Sequence, residues 1–335
     1  MKIPSHASRR QLGLTLVELM VALVLGLVVI GAVVNLFLTN RQTYRTTENL
    51  ARMQENLRIA FELMARDVRE AGATACGIVY DTNKKYVVAN VFNGASFTWV
   101  WQESPLFAYE PGATIPSPPD KVAAGSPVLS IVKASDPANE VHVVKHDESS
   151  DLLTLSSTAN LEAGDIVFVC KAPYAAIFQV TNDPNPSRRT VSHATPANCI
   201  DYFVSYSFTC KNKASDNAKV SFSDGTIVKL QRIFWYVGTN DRGGTSLYRK
   251  VVNNDLDKNA PVEMVPDIDQ LTLSFLSTGG TTYQPIASVA DWTQVVAVRI
   301  LVRSVSTDNI GTDSQPLRRE YPFTIALRNR ESLNR

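Results

Sequence analysis

The sequence lacks a strong excess of charge of either sign, and it lacks the short motifs on which common catalytic sites are built. Its 335 residues carry 33 Lys and Arg against 32 Asp and Glu, a formal net charge of +1, which argues against a broad basic surface for nucleic acid. A nucleophile elbow, an HExxH helix, a phosphate loop, a dinucleotide fingerprint and a CxxC pair are all missing. We therefore expect a non-enzymatic protein with no cofactor and no nucleic-acid partner. What the chain does have is apolar content, because 44% of its residues are hydrophobic, enough for a globular core.

Acidic residues are also absent from the first 13 positions, which carry three basic residues, and an apolar run follows from Leu14 to Leu38. As a helix its 25 residues would extend about 37 Å, more than the hydrocarbon core of a bilayer at about 30 Å. A secretory signal peptide has a shorter apolar core and a small-x-small cleavage site, and neither is found here. The run therefore predicts a membrane-spanning segment with its basic end in the cytoplasm and the rest of the chain exported.

Glu18 places a carboxylate within this apolar run. An acid inside a bilayer costs about 2.5–3.5 kcal/mol on insertion scales, so its presence needs an explanation. Either Glu18 lies near enough to the interface to reach water, or another charge neutralises it.

The stretch Gly13–Leu23 resembles the class III leader and N-terminal helix of type IV pilins and type II secretion pseudopilins. The resemblance implies that a prepilin peptidase cleaves after Gly13 on the cytoplasmic side and N-methylates the new first residue, Leu14. It also implies that Glu18 pairs with the N-terminal ammonium of a neighbouring subunit during assembly, which would neutralise a carboxylate in apolar surroundings. Leu14 departs from the phenylalanine that is commonest at this position in the family.

Beyond the apolar run, hydrophobic residues recur at steps of three and four, which predicts that one helix continues from Leu14 to Ala71 and stops at Gly72. The stripe indicates packing against a core, with a separate coiled-coil partner as the alternative. Its apolar positions are Leu50, Met53, Leu57, Ala60, Phe61, Met64 and Val68. The charged residues assigned to the other faces are Glu48, Arg52, Glu55, Arg58, Glu62, Arg66, Asp67, Arg69 and Glu70.

After Gly72 the pattern changes to the alternation of β-strands. Predicted strands lie at 202–209, 227–237, 246–252, 271–275, 295–305 and 321–327. Asn240–Gly244 predicts a hairpin turn, and six prolines between Ser104 and Pro127 predict a long surface excursion. The predicted fold class is α+β: a long N-terminal helix, membrane-spanning in its first half, packed on a β-rich, antiparallel-sheet periplasmic domain, as in pilins.

These observations divide the chain into four segments. They are a prepilin leader at 1–13, a hydrophobic transmembrane and assembly helix at 14–38, an amphipathic continuation of the helix at 39–72 and a β-rich exported domain at 73–335.

Further segments resemble one branch of the family, the minor pilin PilW of type IV pili. They are 41–44, 50–56, 65–72 with Cys76, 164–167 with Cys170, 176–180, 296–300 and 324–330. The resemblance implies a minor pilin that primes assembly of a type IV pilus, is incorporated at its tip, and supports pilus biogenesis, twitching motility and adhesion. It implies as partners other minor pilins, the major pilin, the prepilin peptidase and the inner-membrane assembly platform. The protein would lie in the inner membrane before assembly and at the pilus or cell surface afterwards.

Three other functions stay open. A large minor pseudopilin of a type II secretion system would carry the same N-terminal features. A fibre-borne adhesin module would need the excursion from Pro105 to Pro127 for attachment to a surface. A single-pass membrane enzyme would need catalytic activity in the exported portion, about residues 40–335.

Four cysteines, an even number in a domain predicted to be exported, indicate disulfides. Three pairings are possible. We favour Cys76–Cys170, which would tie the helix end to the β-rich domain, and Cys199–Cys210, which would close a short loop. The spacings match no zinc pattern.

Two other groups of potential metal ligands are better explained as structural. His142 and His146 are four residues apart, but 140–146 alternates and predicts a strand with its polar face in solvent. Asp255 and Asp257 lack the glycine and the distal glutamate of a calcium-binding loop, which favours a turn. We expect no metal site.

Overall fold

The computed structural model describes residues 15–74, 87–93, 104–115, 118–135, 141–158, 161–184, 187–211, 214–253, 260–311 and 315–328. In these residues one long helix, α1 (Leu16–Arg69), precedes a series of strands. The strands are β1 (Val87–Asn90), β2 (Leu106–Tyr109), β3 (Val128–Ala134), β4 (Val141–His146), β5 (Leu152–Leu155), β6 (Ile166–Lys171), β7 (Tyr174–Gln179), β8 (Thr190–Ser192), β9 (Phe208–Thr209), β10 (Thr226–Thr239), β11 (Thr245–Val252), β12 (Val262–Pro266), β13 (Ile268–Ser277), β14 (Gln284–Pro285), β15 (Val295–Val305) and β16 (Arg318–Ala326). The α+β architecture predicted from the sequence is confirmed.

Both described ends of α1 follow from its sequence. Thr15 is the N-cap, and its hydroxyl accepts a hydrogen bond from the backbone N–H of Glu18. At the other end Gly72 has a φ of +74°, a left-handed conformation that glycine adopts without strain. The backbone N–H of Gly72 donates to the carbonyl of Val132 at 2.9 Å, which joins the helix end directly to β3. The helix itself ends at Arg69 with Glu70 as its C-cap, two residues before the predicted end at Ala71, and Gly72 closes the turn that follows.

The second half of α1 packs on the β-rich domain through the predicted apolar stripe. Its buried members are Met53, Leu57, Ala60, Met64 and Val68. Leu50 and Phe61 are half-buried. Core packing therefore explains the stripe, as the sequence predicts. Within the described part of the helix, no residue before Asn49 is buried, so the domain covers only its second half.

Strand β10 organises the larger of two sheets. Its first residues pair with β4 and β6, and its later residues pair with β3 and β11. Twelve of the described strands join in this way. Their pairings are antiparallel except those of β1, which runs parallel to β7 and β9.

The smaller sheet is antiparallel, with the strand order β14-β13-β15-β16, and it packs against α1. The ring of Phe61 on the helix stacks on that of Phe323 in β16, with 4.7 Å between centroids. One hydrophobic core contains residues of α1, of the smaller sheet and of β3, β10 and β11 in the larger sheet, including Trp235 and Phe275. The helix is thus fixed to both sheets at once.

Most of the predicted strands are present. β10, β11 and β13 contain the predicted segments 227–237, 246–252 and 271–275, and β15 has the predicted bounds. β16 begins three residues before the predicted start, at Arg318, and ends one residue before the predicted end, at Ala326. Asn240–Gly244 forms the predicted turn, with the N–H of Asn240 donating to the carbonyl of Gly244 at 2.9 Å.

The strand predicted at 202–209 is wrong over most of its length. Only Phe208–Thr209 forms a strand, β9, and Val204 makes a single bridge to Lys219. Phe203, Val204 and Phe208 are buried, but Phe203 and Val204 are adjacent in the sequence, and Tyr202 and Tyr206 are only half-buried. The burial of these side chains therefore does not follow the predicted alternation. A strand also needs a neighbouring strand for its backbone groups, which most of this segment lacks.

The surface excursion predicted between Ser104 and Pro127 is also only partly correct. Within it, Leu106–Tyr109 forms β2, which pairs with β3, and Leu106 and Ala108 enter the core. This short alternating stretch has no proline and can therefore pair along its whole length, since proline removes a backbone donor.

Candidate functional site

The first turn of α1 holds the carboxylate of Glu18 against its own chain. Its Oε2 accepts hydrogen bonds from the backbone N–H and the hydroxyl of Thr15, each at 3.3 Å, and the N–H of Glu18 returns a bond to that hydroxyl. This is a capping box, which satisfies donors that a helix N-terminus leaves free. The predicted cleavage and methylation residues, Gly13 and Leu14, lie outside the described residues.

The first half of α1 presents a continuous apolar surface. Between Leu16 and Leu38 the large hydrophobic side chains are exposed, from 50% at Val34 to 75% at Leu16. By length and composition α1 is able to cross a membrane. Soluble monomers rarely expose contiguous apolar patches larger than a few hundred Å². This surface therefore needs either lipid or other subunits around it.

Two glycines lie in this exposed half. A Cβ atom added at Gly26 or Gly31 would meet no atom within 4 Å. Close packing at these glycines, if it occurs, must therefore involve something other than the described part of this chain.

The second half of α1 is held by a buried ion cluster around Asp67. The carboxylate accepts hydrogen bonds from Lys133 Nζ at 2.9 Å, from Arg249 Nε at 2.8 Å and from Trp235 Nε1 at 2.9 Å. Lys133 also contacts Glu70. These bonds join the last turn of the helix to β3, β10 and β11, so they fix the direction in which the helix leaves the domain.

The pKa of Asp67 reports the balance of forces in this cluster. Burial by itself would raise that pKa, but the hydrogen bonds and positive charges of Arg249 and Lys133 outweigh burial and hold it below its ordinary value. The carboxylate is therefore charged and fully paired in the folded protein.

Asp67 was assigned to an exposed face by the sequence pattern, and that assignment is wrong, because only 5% of its side chain is exposed. The spacing of Asp67 along the helix is the sequence feature that indicates its burial. Asp67 follows Met64 by three residues and Ala60 by seven, so it lies on the apolar stripe itself. A single acid on such a stripe indicates a buried cation opposite it.

Three of the four cysteines, Cys170, Cys199 and Cys210, lie in the described residues. Cys199 and Cys210 form a disulfide with Cα atoms 5.7 Å apart, which is the pairing expected for this short loop. Cys170 is also disulfide-bonded. Cys76, which the sequence analysis pairs with Cys170, lies outside the described residues.

The solvent-facing histidine strand predicted at 140–146 is partly wrong. His142 is exposed, but His146 is buried at 4% exposure. A β-bulge between Val143 and Lys145 is the cause, because an extra residue reverses the alternation of side chains that follow it. Strand β4 therefore turns its last residue into the core.

His146 lies near a second buried histidine, His193, that the sequence analysis did not single out. The ring centroids are 6.1 Å apart, and the ring of His193 stacks on Phe203 at 4.0 Å. Within the described residues neither ring nitrogen of His193 has a hydrogen-bond partner. Burial, assisted by the nearby His146, lowers the pKa of His193 to about 3.

The described residues contain no group of three or more His, Cys, Asp or Glu that could hold a metal ion. Asp255 and Asp257 lie outside the described residues. The helix offers two features for association with lipid or other subunits: the exposed apolar side chains between Leu16 and Leu38 and the carboxylate of Glu18.

Comparison with known proteins identifies one matching region. Residues 8–34 match the family described as the prokaryotic N-terminal methylation motif. No curated protein and no solved structure matches the chain. The matched region includes Gly13, Leu14 and Glu18 and extends into the exposed apolar half of α1. The chain thus carries a type IV prepilin-like methylation motif on a membrane-capable helix, which supports its placement among the type IV pilins and pseudopilins.

Proposed function

We propose that the protein is a minor pilin of a type IV pilus, of the branch represented by PilW, which primes assembly and enters the fibre at its tip. The observation that carries this proposal is the exposed apolar surface of the helix from Leu16 to Leu38. This surface begins at the capping box of Thr15 and Glu18, and both residues lie inside the methylation motif. An apolar surface of this kind can contact lipid in a membrane and can pack against other helices in a fibre. The protein acts by polymerisation rather than by turnover of a substrate.

The mechanism follows from where charge and apolar surface lie along α1. The basic leader keeps the N-terminus in the cytoplasm, and the exported domain begins on the other side of the membrane. Cleavage after Gly13 creates a new ammonium group at Leu14. In the membrane Glu18 keeps its bonds to Thr15, which are weak at 3.3 Å. During assembly the carboxylate exchanges them for the ammonium of a neighbouring subunit, a charge-assisted contact of greater strength.

The exported domain supports a place at the tip. It attaches to α1 from Asn49 onward through both sheets, and it is much bulkier than the helix. A subunit of this shape is easier to accommodate at the end of a fibre than along its shaft. Its partners are then other minor pilins and the major pilin, with the prepilin peptidase and the inner-membrane platform acting before assembly.

The same motif and helix would also serve a large minor pseudopilin of a type II secretion system. Co-purification separates the two functions. We expect the protein in its native host to be recovered with other minor pilins and not with pseudopilins.

N-terminal mass spectrometry of protein from its native host, with and without its prepilin peptidase, tests the class. We expect a first peptide beginning at N-methylated Leu14, and we expect it to disappear in the peptidase mutant. An intact Met1 in both strains would remove the assembly function, because the motif would then be a chance match on a plain membrane anchor.

A further inference from the structure

We propose that Arg41, Tyr44 and Arg45, which we call the interfacial collar, bind the phosphates of anionic phospholipids on the exported side of the membrane. This inference rests on the membrane placement of α1 in the proposed function. It adds a lipid-binding site that sets the depth of the helix before assembly.

The collar is the point at which the charge pattern of α1 changes. The nine residues from Thr39 to Thr47 contain two cations, Arg41 and Arg45, and no acid. From Glu48 onward, acidic and basic residues alternate along the helix. Only the segment next to the apolar run is therefore purely cationic, which is the charge that complements an anionic headgroup layer.

Both collar arginines lack a counter-ion in the described part of the chain. They are exposed, and neither forms an ion pair with a described carboxylate. The nearest acid along the helix, Glu48, is bound to Arg52 at 2.7 Å. Tyr44 is also free of the domain, with 71% of its surface exposed.

The helix places these three side chains at the right depth. Arg41 is three residues past Leu38, about 4.5 Å along the axis, and Arg45 is about 10.5 Å past it. The headgroup layer extends about 5–7 Å beyond each side of the hydrocarbon core. Side chains on a helix tilt toward its N-terminus, which here enters the membrane, so both long arginines point back toward the phosphates.

The three side chains also share one side of α1. Arg41 lies three residues from Tyr44 and four residues from Arg45, and both spacings bring side chains together on a helix. Tyrosine is enriched at membrane interfaces because its ring is apolar and its hydroxyl is polar. The guanidinium groups of Arg41 and Arg45 can therefore bind the phosphate of a phospholipid, while the ring of Tyr44 lies beside them at the level of the lipid glycerol.

The neighbouring threonines make the segment compatible with this depth. Thr39, Thr43, Thr46 and Thr47 each donate their hydroxyl hydrogen to the carbonyl four residues earlier, at 2.9–3.0 Å. Their polar groups are satisfied within the helix and need no water. The two arginines are the charged groups of this segment, and they still require a partner.

The test uses the full-length chain in lipid nanodiscs made of equal parts of phosphatidylcholine and phosphatidylglycerol. Native mass spectrometry then measures which lipids remain bound after mild release. We expect the wild type to retain phosphatidylglycerol preferentially, and the double variant R41Q/R45Q to lower that preference about 25-fold, since each surface cation contributes about a fivefold effect. R41K/R45K, which keeps both charges, should preserve it.

The matched control is R52Q/R58Q, which removes two exposed arginines farther along the same helix. We expect it to bind phosphatidylglycerol like the wild type. Equal lipid preference in R41Q/R45Q and the wild type would overturn the proposal. So would carbodiimide crosslinking of the R41K/R45K variant in membranes if its two lysine amines couple to acids of a neighbouring subunit, since that would make the collar a protein contact. N-methylated Leu14, measured in the same host, reports on the proposed function independently, because processing at Leu14 does not depend on the collar.

Discussion

Asp67 shows how one side chain orients the whole β-rich domain relative to the long helix. Its carboxylate is the common acceptor for Lys133, Trp235 and Arg249, which come from three different strands. Because the cluster lies in the last turn of α1, any change in it acts on the junction of helix and domain.

Replacing Asp67 by Asn should lower the free energy of unfolding by about 3–5 kcal/mol, since it leaves Lys133 and Arg249 without their shared counter-ion. The measurement is urea unfolding of the full chain in detergent. Glu62→Gln is the matched control, because Glu62 pairs with Arg58 at the surface and such pairs contribute less than about 1 kcal/mol. Equal, small losses in both variants would show that the cluster does not anchor the helix.

His193 makes a second residue-scale prediction, on pH. Above about pH 6.5, the ordinary pKa of histidine, its ring is neutral in both the folded and the unfolded chain. As the pH falls from there toward the folded pKa of about 3, His193 binds a proton in the unfolded chain but stays neutral in the folded protein, so the free energy of unfolding decreases. His146 faces the same space and its pKa is also lowered, mainly by burial, while the carboxylate of Asp151 opposes the shift at His193.

His193→Phe should remove much of this acid sensitivity. Phenylalanine has a similar shape, and the site is lined by Phe178 and Phe203. Between pH 6.5 and 4.5 we expect the variant to lose up to about 2.7 kcal/mol less stability than the wild type, at 1.36 kcal/mol per proton and pH unit. Urea unfolding at a series of pH values measures this. His142→Phe, at an exposed position, is the control, and parallel pH curves for all three proteins would contradict the prediction.

At the scale of elements, the sequence predicts what depends on local pattern. The end of α1 is followed by Gly72 in a left-handed conformation, and β15 follows from an eleven-residue segment, 295–305, in which six residues are Val or Ile. The segment 202–209 has the hydrophobic alternation of a strand in its sequence, yet it lacks a neighbouring strand over most of its length. Whether such a neighbour exists depends on residues far away in the chain, which a local pattern does not contain.

The same distinction explains the candidate site. Glu18 and the apolar run are local features, and the sequence is sufficient to identify them. His146 turns inward because of a bulge in the pairing of β4 with β5. The partners of Asp67 lie 66 to 182 residues away along the chain. These contacts are fixed by tertiary structure, so only the spacing of Asp67 on the apolar stripe could have pointed to them.

At the scale of the whole molecule, the protein separates into a part that needs lipid or other subunits and a part that does not. In the described residues, burial begins at Asn49, where the side-chain amide donates to Asp308 at 3.3 Å. The apolar surface from Leu16 to Leu38 contributes no packing to the β-rich domain. The β-rich domain can therefore fold fully while the first half of the helix is in a membrane.

Removing residues 1–38 should accordingly give a soluble protein whose free energy of unfolding lies within about 0.5 kcal/mol of that of the full chain in detergent, since none of the described residues from 15 to 38 is buried. Urea unfolding and analytical ultracentrifugation measure stability and solubility. The matched control removes residues 1–58 and with them Asn49, Met53 and Leu57, all of which are buried. Because truncating a single large core side chain costs about 2–5 kcal/mol, this shorter protein should be severely destabilised or fail to fold. Aggregation of the 39–335 protein, or equal stability of the two, would mean that the boundary between assembly helix and folded domain lies elsewhere.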